Sequence, residues 1–366
     1  MKINVLSSTS FHVLPLAKEL QRQGLDVRFY SYLPYTTTRK AGLKKGTAVS
    51  LLWLVAPLVF LLKILPYKKI RITMIINKLL DGYCCRYMRK ADIVIALGSV
   101  YLNVLEKAKC NSSITILEWG SKHIIEQRKN LGIPDSLNHD VLERELKSYE
   151  IADYIAVASQ HVAYSFIKHG IPEKKLLVNP YGVDLAEFPP TQLDMEEQYD
   201  LIFVGGWRYE KGADLLIELC QNYGYSLLHV GRLVNMPFPE QNNMKHIASV
   251  PQSELTNYYK KAKVFVLPSR AEGLSLVQVQ AIGSGLAVVC SKETGGSDLR
   301  KLIDDQRWIL EMKELTVEEL NRCVIEALKL TESQCGVRNY TNMENLTWKK
   351  YGERYAQNIQ RITNKS

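Results

Sequence analysis

Short apolar runs bounded by turn residues recur along this chain, and the segments between them carry apolar residues at helical spacing. "INVLSS", "DVRFYS", "ADIVIALG", "SSITILEWG", "ADYIAVAS" and "KLLVNPYG" read as strands, and "HVLPLAKELQRQG" as an amphipathic helix ended by Gly24. Strands interleaved with helices need crossover connections, which dictates parallel sheets covered by helices. The rhythm breaks once, in "GVDLAEFPPTQLDMEEQYD", where two prolines, acidic residues and no periodicity mark a linker over about residues 184–199. A second series follows, with "LIFVGG", "YSLLHVG", "MKHIASV", "VFVLPS" and "LAVVCS" as its strands. The α/β expectation is two similar-sized α/β domains with a cleft between them, residues 1–184 and 185–345, with 346–366 a polar amphipathic helix. A length of 366 residues also exceeds one ordinary core. Ligands of open parallel sheets bind beyond the carboxyl ends of the strands, so the loops after "LIFVGG" and "VFVLPS" are expected to face the cleft.

The composition, 46% apolar and 23% charged, excludes a disordered chain. Seven scattered cysteines with no CxxC and no zinc spacing point to reduced thiols and no metal site. "MKINVLSS" reads as a strand and not as a signal peptide, so a cytoplasmic location is expected. The net charge of +9 is uneven: residues 1–190 hold 26 Lys/Arg against 16 Asp/Glu, and between Arg28 and Lys90 the single acid, Asp81, faces 13 basic residues. Such a bias needs an anionic partner. Inside it lies "SLLWLVAPLVFLLKILP", Ser50 to Pro66, flanked by Arg39, Lys40, Lys44, Lys45, Lys68, Lys69 and Arg71. The run falls short of the roughly 20 apolar residues of a span, and Pro57 and Lys63 interrupt it. A helix lying in an anionic membrane surface is the favoured reading, beside a buried helix or a true span. Nucleic acid is not expected, because no recognition motif accompanies the basic residues.

Two short motifs carry chemistry. "FVGGWRYEKG" ends a strand in Gly205 and Gly206 and follows it with Arg208 and Lys211, a backbone and two cations suited to phosphates. "VFVLPSRAEGLSLVQVQAIGSG" places Glu272 and Gly273 at a turn before a helix, whose first N–H groups, from Leu274, Ser275, Leu276 and Val277, form an anion site. A carboxylate beside phosphates is repulsive unless it reads hydroxyls. Together the motifs call for a ligand with phosphates and a hydroxyl-rich group.

"EIADYIAVAS", "KLLVNPYGVDLAEF", "FVGGWRYEKGADLL", "VFVLPSRAEGLSLVQVQAIGSGLAVV" and "TWKKYGERY" stand in the order and spacing of the family-4 retaining glycosyltransferases, which the chain resembles over nearly its whole length. The resemblance implies the GT-B architecture of two Rossmann-like α/β/α domains facing across a cleft, a last helix returning towards the N-terminal domain, a nucleotide-sugar donor on the C-terminal domain and an acceptor on the N-terminal one, with no cofactor and no obligatory metal. It implies that Lys211, with Arg208 two positions after the usual arginine site at Gly206, contacts the donor diphosphate. Glu272 matches the first Glu of the family's paired-glutamate motif, on the donor sugar, and Gly273 to Val277 match the turn and helix start that bind sugar and phosphates. Gln280 stands where the second Glu holds the ribose hydroxyls, and an amide can still accept and donate there. His123 is the candidate for the histidine that contacts the donor sugar. Gly231–Arg232 and Val250–Glu254 are loops expected to contact the sugar or base of the donor. In the N-terminal domain "SSTSFH" replaces the usual glycine pair; His12, Glu118 and Trp119 are the candidates for the acceptor side.

The implied reaction is a retaining transfer in which Lys211, Arg208 and the helix start stabilise the leaving diphosphate. No hydrolytic carboxylate pair is evident. The basic, apolar N-terminal region adds a lipid-linked glycan as the expected acceptor in bacterial surface-polysaccharide synthesis, with the protein peripheral on the inner face of the membrane. A transferase acting on a small soluble acceptor, and a non-catalytic sugar-nucleotide binder suggested by Gln280, are the alternatives.

Overall fold

The structure, a computed structural model, describes residues 1–8, 10–65, 69–134, 139–193, 198–333, 338 and 342–364. Seven strands, β1 (Lys2–Leu6), β2 (Asp26–Ser31), β3 (Ala48–Ser50), β4 (Ile93–Leu97), β5 (Ile114–Trp119), β6 (Tyr154–Val157) and β7 (Leu176–Val178), form one sheet in the order β3-β2-β1-β4-β5-β6-β7. Six more, β8 (Tyr199–Val204), β9 (Leu227–Val230), β10 (Met244–Ile247), β11 (Ala262–Leu267), β12 (Ala287–Ser291) and β13 (Ile309–Met312), form a second in the order β10-β9-β8-β11-β12-β13. Every pairing is parallel. β3 and β13 were not visible as strands in the sequence: each is an edge of three or four residues, too short to show a period.

The central strands are apolar on both faces, as a sheet covered by helices requires: Ile93, Val94, Ile95 and Ala96 of β4 and Val264, Phe265, Val266 and Leu267 of β11 are all buried. In each sheet the chain winds outward from its first strand and then crosses to the other side of it, between β1 and β4 and between β8 and β11. Loops diverge at such a switch point and leave a crevice at the carboxyl ends of the strands. The residues after β1, β8 and β11 are Ser7–His12, Gly205–Lys211 and Pro268–Gly273.

Two helices give the N-terminal domain its distinctive surfaces. Helix Val13–Arg22 buries Val13, Leu14, Leu16, Ala17 and Leu20 at helical spacing. Helix Trp348–Thr363, capped by the Thr347 hydroxyl accepting from the Lys350 N–H (3.3 Å), returns to pack on it with Tyr351, Tyr355, Ile359 and Ile362 inward. The apolar segment forms helix Leu52–Ile64, with Pro57 inside it, followed by helix Lys69–Tyr87. Only part of this pair is core: Leu51, Val55, Ile72, Ile76, Leu80 and Cys84 are buried, whereas Trp53, Phe60, Ile64, Ile75, Leu79 and Tyr87 are exposed. The reading as an ordinary buried helix therefore fails for the outer face. No helix among the described residues is long and apolar enough to cross a membrane. Pro66 and Lys68 of the sequence reading lie outside the described residues.

Candidate active site

The two motif loops of the C-terminal domain form one body. Arg270 makes a bidentate pair with Asp214 (2.8 and 2.7 Å), donates to the Tyr209 carbonyl (2.6 Å) and lies 3.8 Å over the Tyr209 ring. Its own N–H donates to the Glu210 carbonyl (2.8 Å). Planar, doubly bonded arginine fixes geometry as well as charge. With the loops joined, Lys211 meets Glu272 in an ion pair, and both are mostly buried. Burial and the neighbouring Arg208 lower the Lys211 amine to about 8. Arg208 folds back over Gly206, its guanidinium so close that a Cβ there would lie 2.9 Å from Nη2. Its Nε is buried with no partner among the described residues. A buried donor on a permanent cation, beside a second cation, has the chemistry to hold an anion.

The N-terminal domain grips the same loop. Ser159 Oγ donates to the Gly273 carbonyl (2.9 Å) and His161 Nε2 to that of Glu272 (3.0 Å). Lys122 pairs with Glu293, whose carbonyl accepts from the Glu272 N–H (3.0 Å), and the Gln160 N–H donates to Asp298 (2.7 Å). Gly273 is pressed against Gly120, so that an added Cβ would stand 2.0 Å from the Gly120 carbonyl oxygen. Gly273→Ala is therefore expected to force the domains apart and destabilise the protein by about 1–3 kcal/mol, read as a lower denaturant midpoint; an unchanged midpoint would show that the two loops do not touch in solution.

A cavity of about 570 Å³ is lined from both domains, by residues that include Phe11, His12, Asp184, Gln252, Leu276 and Gln280. Gln280 is buried and its Oε1 has no partner among the described residues. Its helix, Leu276–Gly283, starts directly after Ser275, with Leu274 and Ser275 buried beneath the turn and Val277 half-buried beside Leu276. Two cations and a carboxylate are thus brought together on the joined loops, and an unspent amide on the helix that follows them lines the cavity.

Other candidates are placed elsewhere. His123 does not face the crevice: it packs inside the N-terminal domain, stacked 4.5 Å from His169 and in contact with Tyr149 and Phe166. Burial, with His169 beside it, lowers it to about 4, so it is a neutral packing residue, and its neighbour Lys122 is the one that reaches the other domain. Glu118 is likewise not open to an acceptor. It is buried between His12, which donates to it (2.8 Å), and the hydroxyl of Tyr355. His12 lines the cavity wall with its ring stacked on Tyr181, 4.5 Å away, and is itself buried. Trp119 offers no stacking face, since it is buried edge-on to Tyr149 and donates to the Lys122 carbonyl (3.2 Å). In the C-terminal domain Gly231 serves a close approach of strand ends: a Cβ would lie 1.8 Å from the Gly205 carbonyl oxygen. Val250 packs on the core, and Gln252, two residues on, faces the cavity. Sequence reasoning missed Arg270, Lys122, Ser159, His161 and Gln252; only Arg270, two residues before Glu272 in "PSRAEG", carried a local signal.

Residues 186–342 match the model of the family described as glycosyl transferases group 1. Among curated proteins, the chain is 26% identical over 149 residues to an uncharacterized glycosyltransferase of Methanocaldococcus jannaschii, covering 37% of this chain and 41% of that one. It is 25% identical over 196 residues to the putative colanic acid biosynthesis glycosyltransferase WcaL of Escherichia coli K12, covering 48% and 47%. The match thus spans about half or less of each relative. The fold is shared with Anabaena HepE in complex with UDP and glucose (TM-score 0.68, 14% identity, 98% and 99% of the two chains). It is shared also with sucrose-phosphate synthase of Thermosynechococcus elongatus (TM-score 0.65, 14% identity, 100% of both). The chain therefore has the GT-B architecture, and its residues 186–342 match the glycosyl transferases group 1 model.

Proposed function

We propose that this protein is a retaining glycosyltransferase. It moves a sugar from a nucleotide-diphosphate sugar to a hydroxyl of a lipid-linked glycan, in the assembly of a bacterial surface polysaccharide. The observation that carries the reading is the Lys211–Glu272 pair with the unpartnered Arg208 Nε beside it, on the joined loops that follow β8 and β11. HepE, with the same fold, is known in complex with UDP-glucose, and WcaL is named for colanic acid synthesis; both support it.

In this reading the diphosphate enters against Arg208, Lys211 and the first N–H groups of helix Leu276–Gly283. Lys211 exchanges Glu272 for phosphate, and the freed carboxylate accepts from the sugar hydroxyls. The bond between the anomeric carbon and the diphosphate oxygen breaks, and its electron pair stays on the phosphate, where fixed cations stabilise the growing charge. The acceptor hydroxyl attacks the same face and gives its proton to that phosphate oxygen. The chain's own cations supply the charge, so no metal and no cofactor is needed. Gln280 takes the ribose hydroxyls through its free Oε1.

The acceptor is assigned to a membrane because Trp53, Phe60 and Ile64 are exposed on a helix set among basic residues. Aromatic and aliphatic side chains at that depth, with cations around them, suit the interface of an anionic bilayer. The protein then works peripherally on the cytoplasmic face.

A thermal-shift titration with nucleotide-diphosphate sugars tests the donor assignment, because a ligand that binds only the folded state raises its melting temperature. Gln280→Glu should bind the preferred donor about fivefold more tightly, the gain of a charge-assisted bond over a neutral one. It should also melt lower without ligand, since the new carboxylate is buried. Weaker donor binding by Gln280→Glu would remove Gln280 from the ribose, and no shift with any nucleotide sugar would remove the activity itself.

A further inference from the structure

A second cavity, of about 390 Å³, opens in the N-terminal domain between helices Lys69–Tyr87 and His139–Ile151. Its floor includes Ser99 and Val100, which follow β4 directly. β4 runs parallel to β5, with Leu97 opposite Glu118, and the loop after β5 carries Gly120, which touches Gly273. The cavity therefore stands at the same end of the sheet as the loop of Glu272. Its walls are chemically divided. Lys78 and Arg144 lie on it with Asn77 and Met74, and Asp140 and Glu143 complete the rim.

Arg144 is held in place, its Nε donating to the Ser99 carbonyl (2.7 Å) and its Nη2 to Asp81 (2.6 Å) and the Val100 carbonyl (2.9 Å). Its Nη1 has no bond among the described residues, and Lys78 has no ion pair among them. Lys147, by contrast, is paired with Glu106 (2.7 Å). The unpaired Lys78 and the unspent Nη1 of Arg144, whose charge Asp81 already balances, suit a phosphate, and two carboxylates beside them suit sugar hydroxyls. Met74, Asn77 and Lys78 share their helix with Ile75 and Leu79, both exposed, one residue along at each step. At 100° per residue those side chains form the adjoining stripe. A ligand leaving the cavity on that side meets the exposed apolar stripe of Ile75 and Leu79.

We infer that this cavity holds the phosphate-bearing head of an amphiphilic, glycosylated lipid, the phosphate at Lys78 and Arg144, the sugar towards Asp140 and Glu143, and the hydrocarbon tail along the exposed helix face. The inference rests on the glycosyltransferase reading for its claim that this lipid is the acceptor. The geometry assigns phosphate chemistry; the tail is what separates a lipid head from a free phosphate.

The test is flotation with phosphatidylcholine vesicles carrying a long-chain polyprenyl diphosphate, against vesicles matched in surface charge with phosphatidylglycerol. The wild-type protein should partition at least about fivefold more strongly to the polyprenyl diphosphate, the gain of a charge-assisted hydrogen bond to the seated phosphate, since the surface attraction is the same for both vesicles. The double variant Asn77→Ala/Lys78→Ala should lose that preference, bind phosphatidylglycerol vesicles nearly as wild type, and keep its melting-temperature shift with nucleotide sugar. A preference retained by the variant, or absent from the wild type, overturns the cavity assignment. Competition by inorganic diphosphate as strong as by the lipid overturns the tail. Absence of any nucleotide-sugar shift in the wild type overturns the donor reading and leaves the vesicle preference to be judged by itself.

Discussion

Lys211→Ala should lower kcat/KM for the nucleotide sugar by about three orders of magnitude, or roughly 4 kcal/mol of transition-state stabilisation, the size seen when a fixed donor to a developing oxyanion is removed. Two effects add. The diphosphate loses a cation where its charge grows, and Glu272, mostly buried, is left without the charge that neutralises it. Steady-state kinetics with a purified donor measures the loss, and a change of less than tenfold would take Lys211 out of the reaction. The same side chain sets a pH dependence. Its amine is lowered to about 8 by burial and by Arg208, and only the protonated form attracts diphosphate. Binding to the free protein should therefore be level below that pH and weaken as pH rises through it. In Lys211→Arg the fall should vanish from this range, because guanidinium stays charged.

The triple variant Trp53→Glu/Phe60→Glu/Ile64→Glu should lose binding to anionic vesicles by about a thousandfold or more. The three side chains are 65%, 62% and 55% exposed. Each contributes about 1.5–3 kcal/mol when transferred out of water, and each carboxylate adds repulsion from the lipid phosphates. Because these residues point away from the core, the melting temperature and the shift with nucleotide sugar should stay near wild type. Unchanged flotation would refute the membrane assignment.

Much of the frame could be read from the residues, and for physical reasons. Doubly covered parallel strands must be continuous apolar runs, so β1, β4, β8 and β11 announce themselves, and the linker shows as the loss of any period. The loops of Lys211 and Glu272 could be placed because each directly follows such a strand. The other half of the site was hidden because it is made by contacts far apart in sequence. Nothing local marks His161 or Ser159 as partners of a loop more than a hundred residues away. A histidine and a glutamate near a strand end, such as His123 and Glu118, look alike whether they face a crevice or an interior. Burial settles the difference, and burial depends on which distant helix covers them.

The distant cover over Glu118 also constrains how the chain is made. Glu118 sits near the centre of the first sheet, and one of its two side-chain partners, Tyr355, is 237 residues further along. While a ribosome is still extending the polypeptide, the N-terminal half has all its strands but lacks the helix that seals Glu118, His12 and helix Val13–Arg22 from water. The first domain to be synthesised is thus the last to be completed, and until residues 348–363 emerge it must wait with a carboxylate and an apolar groove uncovered.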